Sequence, residues 1–115
     1  LPIFSGNFPL ALVAVTLGKK GCLIMQGERR LEAEGFSVAT VDTTGAGDGF
    51  VAGLLSSLYM FWEDLRERKE IPEDTIAYAA RRANAVGALT TTKKGAIPAL
   101  PTSEEVEIFL KEHPL

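Results

Sequence analysis

The hydrophobic and polar positions predict strands in the first third of the chain. Residues 10–17 form an apolar run of Leu, Ala and Val with one Thr, bounded by a proline and a glycine. Such a run predicts a strand buried on both faces of a parallel sheet. A turn is predicted at residues 19–21, which read KKG, and a second short apolar run follows at 22–26. Because so few residues separate the two runs, we expect them to form a hairpin.

The flanking segments are less regular. Residues 1–9 hold a glycine and an asparagine between two prolines, which predicts a loop. The polar stretch 26–35 predicts a turn with a short exposed strand near Arg30 and Leu31. Residues 36–41 read FSVATV, and this β-prone composition predicts one more strand.

Helical spacing replaces the strand pattern in the second part of the chain. Phe50, Leu54, Leu58 and Phe61 recur at intervals near four, which predicts a helix with a core-facing stripe that ends around residues 62–65. A second helix is expected after the Ile-Pro pair that precedes two acids. Its narrow face of small residues indicates a flat partner, either a sheet or a ligand ring. That face consists of Ile76, Ala79, Ala80, Ala83, Val86 and Gly87.

Local signals end the second helix and begin a third. Three threonines at 90–92 are poor helix formers and predict the end of the second helix. Residues 93–102 contain a glycine and two prolines and predict a loop. A last short helix is expected from Ser103, with Ser103 or Thr102 as its N-cap.

Composition narrows the class of protein. The 115 residues suffice for one domain, and 46% hydrophobic with 23% charged residues is typical of a globular protein. The net charge of −3 without a basic stripe argues against a nucleic-acid partner. No apolar run is long enough for a membrane span, and the first residues lack the basic n-region of a signal peptide, so we expect a cytoplasmic protein without a membrane partner. Cys22 is predicted to be a buried thiol, and one Cys with one His excludes a zinc cluster.

Residues 41–50 read VDTTGAGDGF and carry the clearest chemistry of the sequence. A glycine-rich turn before a helix leaves backbone N–H groups unpaired at the positive end of the helix dipole, which favours a bound anion. Gly45 and Gly47 lack a Cβ and can adopt positive φ, so a phosphate oxygen can approach the backbone closely. Asp48 lies at the mouth of this site, where a carboxylate can accept a proton from an attacking hydroxyl.

The same residues also fit an ordinary strand–turn–helix connection. Asp48 would then cap the helix, and the glycines would serve only the turn. The spacing matches neither G-x-x-x-x-G-K-[ST] nor G-x-G-x-x-G. The pattern by itself therefore indicates an anion site but does not identify the anion.

The stretch DTTGAGD at residues 42–48 resembles the signature of the ribokinase-like, phosphofructokinase-B-type carbohydrate kinases. This resemblance implies that Asp48 is the catalytic base for a sugar hydroxyl. It also implies that the amides of Gly45, Ala46 and Gly47 form the anion hole for the transferred γ-phosphoryl group. The fold implied is α/β, the C-terminal part of a three-layer α/β/α fold. Residues 1–115 would be the nucleotide-side portion of a kinase whose N-terminal half, with the sugar pocket, is absent.

Two other segments resemble the family's nucleotide-binding parts. The turn after residue 15 is similar to the element beside the phosphates and ribose, although a lone Gly-x-x-Gly is more often a plain hairpin. Residues 83–102 resemble the adenine wall and the loop after it, and are most similar to fructokinases, which phosphorylate the 6-hydroxyl of fructose with ATP. The nucleotide contacts implied are Thr16, Gly18, Gly21, Asn84 and Gly87.

The loop after residue 92 resembles one whose carbonyls hold a monovalent cation beside the anion hole. Hard oxygen ligands would suit K⁺. The ligands implied are the Asp42 carboxylate and the carbonyls of Thr44, Thr90, Lys93 and Gly95. Some family members have a serine where this chain has Ala99, which would remove one ligand.

The implied reaction is Mg²⁺-dependent transfer from ATP to a sugar, with fructose 6-phosphate as the first candidate product. The alternatives are a kinase for another sugar or a nucleoside, or a non-catalytic nucleotide-binding or oligomerisation module. The sequence leaves monomer and homodimer open. Arg81 and Arg82 are expected on a solvated helix face, and Lys93 and Lys94 as exposed loop lysines. His113, close to the C-terminus, is not expected to be catalytic.

Overall fold

The computed structural model describes residues 12–66, 70–95 and 100–114, and these contain three strands and four helices. The strands are β1 (Val13–Thr16), β2 (Gly21–Gln26) and β3 (Arg29–Glu34). The helices are α1 (Ala46–Met60), α2 (Trp62–Leu65), α3 (Glu73–Thr90) and α4 (Ser103–Glu112). The loop predicted over residues 1–9 lies outside this description. No helix within the described ranges is long and apolar enough to cross a membrane.

The three strands form an antiparallel sheet in the order β1-β2-β3. The predicted hairpin is confirmed, since Val15 pairs with Leu23 across a short 3₁₀ turn, and the exposed strand near Arg30 is β3. The parallel pairing predicted for this sheet is not found among the described strands, because a connection of four residues joins β1 and β2 and such a connection allows only antiparallel neighbours. The predicted burial of β1 on both faces is wrong, since β1 lies at the edge of the described sheet and Val15 is 39% exposed.

The strand predicted at 36–41 does not form. The chain from Gly35 to Thr43 is irregular, and the N–H groups of Val41 and Asp42 both donate to the carbonyl of Thr91, at 2.7 and 3.0 Å. This segment is therefore anchored to the end of α3 and not to the sheet. Its apolar residues Phe36 and Val38 pack on α3 and α4. Half-buried apolar side chains suit such a helix surface as well as they suit a strand, so the composition could not distinguish the two.

Helices α1 and α3 pack along each other and enclose the larger core together with β2. Phe50 is buried, and Leu54, Leu58 and Phe61 pack at the edge of the same cluster, which confirms the predicted stripe of α1. The small-residue face of α3 is buried as well. Its partners are the sheet, as predicted, and also α1, since a Cβ added at Gly53 would lie 2.9 Å from the Cα of Ala83.

Helix α4 covers the other side of α3. The side chain of Thr102 accepts from the N–H of Glu105 at 3.1 Å, and the Glu105 carboxylate accepts from the N–H of Thr102 at 2.9 Å. This capping box confirms the predicted start of the last helix. Val106 and Phe109 are buried against α3 in a second, smaller core.

The predicted solvated face of α3 is wrong at both arginines. Arg82 is only 5% exposed and donates to the hydroxyls of Ser56 and Ser57, at 3.1 and 3.4 Å. Its Nε lies 3.7 Å from a carboxylate oxygen of Glu107. Arg81 is half-buried, with its guanidinium 5.1 Å from the centre of the Phe36 ring. The charge pattern along α3 could not predict that α4 and the irregular segment would cover these side chains.

Candidate active site

The turn at 42–48 leads into α1, and no side chain caps the N-terminus of this helix. Gly45 has φ 83°, the left-handed conformation that glycine adopts without strain, and α1 begins at the next residue. Gly47 lies within the helix with an ordinary φ, so positive φ is confirmed only at Gly45. The N–H of Ala46 donates to Thr43 at 3.2 Å, whereas those of Gly45 and Gly47 make no backbone hydrogen bond to a described residue.

Asp48 occupies the first turn of α1. Its side chain is exposed and makes no hydrogen bond or ion pair with any residue in the described ranges. The alternative in which Asp48 serves only as a capping acid therefore lacks the hydrogen bond that a cap requires. The helix dipole nevertheless favours a negative charge at this position.

A pocket of about 430 Å³ opens beside this turn. Its walls come from the β1–β2 turn, the irregular segment 35–40, the start of α1 and the C-terminal part of α3. All five residues predicted for the nucleotide line it, as do two of the three predicted for the anion hole, a set made up of Thr16, Gly18, Gly21, Asn84, Gly87, Ala46 and Gly47. A concave site of this size and mixed polarity is typical of small-molecule binding.

Asn84 also has a structural role at the pocket wall. It is 7% exposed, and its Nδ2 donates to the carbonyls of Ala33 and Glu34 at 3.2 and 3.1 Å. These bonds fix the end of β3 to α3. The fully buried Cys22 thiol lies nearby, and burial raises its pKa against the opposing effects of hydrogen bonds from the Asn84 side chain and the Ala33 backbone. The predicted buried thiol is confirmed.

Asp42 connects the turn to the segment after α3. One carboxylate oxygen accepts from the N–H of Thr44 at 2.9 Å, and the other accepts from the N–H of Gly95 at 3.1 Å. Hydrogen bonds from Thr44, through its backbone and then its side chain, and from Gly95 lower the pKa of Asp42, so the group is ionised at neutral pH. Asp42 is thereby hydrogen-bonded to two of the other four predicted cation ligands, through their N–H groups and not through their carbonyls.

The remaining cation candidates could contribute only backbone carbonyls. The Thr90 hydroxyl is fully buried and donates to the carbonyl of Val86 at 2.7 Å, and the Lys93 ammonium lies 3.4 Å from Glu105. Ala99 lies outside the described ranges. Within those ranges, no three His, Cys, Asp or Glu side chains gather as a metal site. One carboxylate with neutral carbonyls fits a monovalent cation better than a divalent one.

Comparison with known proteins identifies the family. The profile of the pfkB family carbohydrate kinases matches residues 3–103. The chain belongs to the pfkB family of carbohydrate kinases. It is 46% identical over 102 residues to the fructokinase of Solanum tuberosum, covering 89% of this chain and 30% of that protein.

Solved structures of pfkB kinases give the same fold. The fructokinase of Vibrio cholerae O395, solved with fructose, ADP and calcium, is 42% identical with a TM-score of 0.73, over 86% of this chain and 30% of that one. The aminoimidazole riboside kinase of Salmonella enterica, solved with its riboside and an ATP analogue, is 36% identical with a TM-score of 0.71, over 86% and 31%. The predicted α/β, ribokinase-like fold is confirmed.

The match covers less than half the length of these pfkB kinases. The chain spans 46% and 30% of the length of the first two curated relatives that it matches. The pocket residues that the sequence analysis missed are mainly on the irregular segment, with Phe36 and Val38 foremost. The β-prone composition of this segment predicts a strand and gives no sign that its side chains line a pocket.

Proposed function

We propose that this chain is the nucleotide-side portion of an ATP-dependent sugar kinase, with fructose as the first candidate acceptor and fructose 6-phosphate as product. The pocket carries this proposal, because it joins the five predicted nucleotide residues to the N-terminus of α1, whose first turn holds the exposed Asp48. The fructokinases among its relatives support fructose. The riboside kinase keeps a nucleoside acceptor as the alternative to test.

In the proposed reaction, Asp48 accepts the proton of the sugar hydroxyl as its oxygen attacks the γ-phosphorus. The bond between the γ-phosphorus and the β–γ bridging oxygen breaks, and ADP leaves with that oxygen. The amides of Gly45, Ala46 and Gly47 would stabilise the charge on the equatorial oxygens. Losing one such contact should raise the barrier by about 3 kcal/mol.

Two ions would assist this chain. Mg²⁺ would neutralise the phosphate oxygens of ATP. Its ligands would be mainly those phosphates, because the described residues lack a cluster of carboxylates. K⁺ would be held by the Asp42 carboxylate and by carbonyls of the segment around Thr44, Thr90, Lys93 and Gly95. The lowered pKa of Asp42 keeps the charge that such a cation needs.

The partners of this portion follow from the same proposal. The sugar would be bound by the N-terminal part of the kinase, for which these 115 residues supply the nucleotide side. The cytoplasmic location stays a prediction from the sequence, and monomer and homodimer both stay open.

The test is ADP formation by the complete gene product with ATP, Mg²⁺ and a panel of acceptors that includes fructose, other hexoses, ribose and nucleosides. We expect the highest kcat/KM with fructose. Preference for a nucleoside would keep the kinase and replace the acceptor. ATP binding without turnover on any acceptor would contradict the catalytic proposal and leave a nucleotide-binding module.

A further inference from the structure

Phe36 belongs to two environments, because it lines the nucleotide pocket and also packs on the C-terminal helix α4. The segment that carries it is held in an unusual way. No backbone hydrogen bond joins residues 36–40 to another described residue, although hydrogen bonds of Gly35 and Val41 anchor both ends. The position of this wall therefore depends on how its side chains pack.

An aromatic cluster holds the Phe36 ring from the side of α4. The ring of Phe109 meets it edge-on, with centroids 4.9 Å apart and planes at 70°. His113 stacks on Phe109 at 4.1 Å and meets Phe36 edge-on at 5.8 Å. The guanidinium of Arg81 lies 5.1 Å from the Phe36 centroid and donates to the carbonyls of Leu110 and His113, which ties the cluster to the end of α4.

We propose that Phe109 is a positioning residue for the nucleotide pocket. It does not line the pocket itself, but it fixes Phe36, which does. Helix α4 thereby sets the shape of one pocket wall. The inference rests on the proposed function, since the ligand in question is ATP. Its effect falls on ATP affinity and not on the chemical step, because neither ring belongs to the turn that carries Asp48.

The test replaces Phe109 by leucine in the complete gene product and compares KM for ATP with kcat. Leucine keeps an apolar side chain but removes the ring edge. We expect KM for ATP to rise roughly two- to tenfold, the range that corresponds to one aromatic pair, with kcat and the KM for the sugar unchanged. Phe109→Tyr, which keeps the ring, should restore the wild-type KM. The matched control is Ile108→Ala, a neighbour on α4 that is 51% exposed and should change none of these values.

A double-mutant cycle separates positioning from a general loss of stability. If Phe109 acts through Phe36, the double variant Phe36→Leu/Phe109→Leu should bind ATP no more weakly than Phe36→Leu alone. Phe36→Leu also removes the contact from the pocket side, so it keeps the test decisive if Phe109→Leu folds poorly. Additive effects, or an unchanged KM for ATP in both single variants, would overturn the positioning role and leave the proposed function intact. A wild-type protein that binds no ATP at equilibrium would overturn both.

Discussion

Two glycines of α1, Gly53 and Gly47, lack a side chain for different reasons. A Cβ added at Gly53 would lie 2.9 Å from both the Cα of Ala83 and the Cβ of Val86, so this glycine lets α1 and α3 approach closely. A Cβ added at Gly47 would meet nothing within 4 Å. The absence of a side chain at Gly47 is therefore not explained by packing within the described residues, and it leaves space for a ligand beside the helix N-terminus.

We predict that Gly53→Ala destabilises the protein by about 1–3 kcal/mol, because α1 and α3 must separate to admit the methyl group. The measurement is the free energy of unfolding from denaturant titration. An unchanged stability would show that the two helices can shift without cost and would contradict the close packing.

Gly47→Ala is the matched control for stability and a separate probe of the site. Alanine is the better helix former, so stability should stay the same or rise by up to about 1 kcal/mol. ADP formation should nevertheless fall at least tenfold, on the scale of a lost or displaced anion-hole amide, because the methyl group would crowd the phosphate. Full activity in this variant would argue against a phosphate at Gly47.

At the scale of elements, the sequence predicted helices better than strands. The four-residue spacing in α1 and the N-cap signal at Thr102 and Ser103 are local, and α4 begins at Ser103 as predicted. The strand predicted at 36–41 is wrong because β-prone side chains favour half-buried positions, whether their partner is a sheet or a pair of helices. The predicted exposure of Arg82 is wrong because its partners on α1 and α4 lie more than 20 residues away in the sequence, where a local charge pattern gives no information.

The start of α4 should make stability depend on acidic pH. The backbone and then the side chain of Thr102, followed by Lys93, lower the pKa of Glu105 from its ordinary 4.5. A lowered pKa means that Glu105 contributes stability above pH 4.5 and loses it as the pH falls through the folded-state value. We predict that Glu105→Gln lowers Tm at pH 7 and that the two proteins converge in acid.

The measurement is Tm against pH for the wild type and Glu105→Gln at low salt, where the exposed pair with Lys93 is least screened. Glutamine keeps a side-chain oxygen for the capping box, so only the charge is removed. A Tm difference that stays constant from pH 7 to pH 3 would contradict the assignment of this dependence to Glu105.

The pocket is a property of the whole molecule. Thr16 and Gly87 are 71 residues apart in the sequence and line the same cavity, together with the start of α1. Hydrophobic periodicity could not bring these residues together, because it carries no information about which elements are neighbours. The resemblance to the kinase family brought them together, since it implied a nucleotide contact for each of them. No motif in the sequence pointed to Phe36, and only the folded structure shows that it lines the pocket.

Because the pocket joins the sheet, α1 and α3, nucleotide binding should stabilise the chain as a unit. A ligand that binds only the folded state contributes about 2.7 kcal/mol at a concentration one hundred times its Kd. We predict that ATP and ADP raise the Tm of the protein in a concentration-dependent way. The control is adenosine with free phosphate at the same concentrations. A Tm that no nucleotide changes would contradict the assignment of the pocket.

The central claim is that Asp48 is the catalytic base, and steady-state ADP formation with fructose tests it most directly. We predict that Asp48→Asn in the complete gene product lowers kcat by roughly a thousandfold while ATP still raises Tm, because a general base contributes about 10²- to 10⁴-fold. Asp74→Asn, an exposed acid in the first turn of α3, is the matched control and should keep full activity. Near-normal turnover in Asp48→Asn would contradict the assignment of the base.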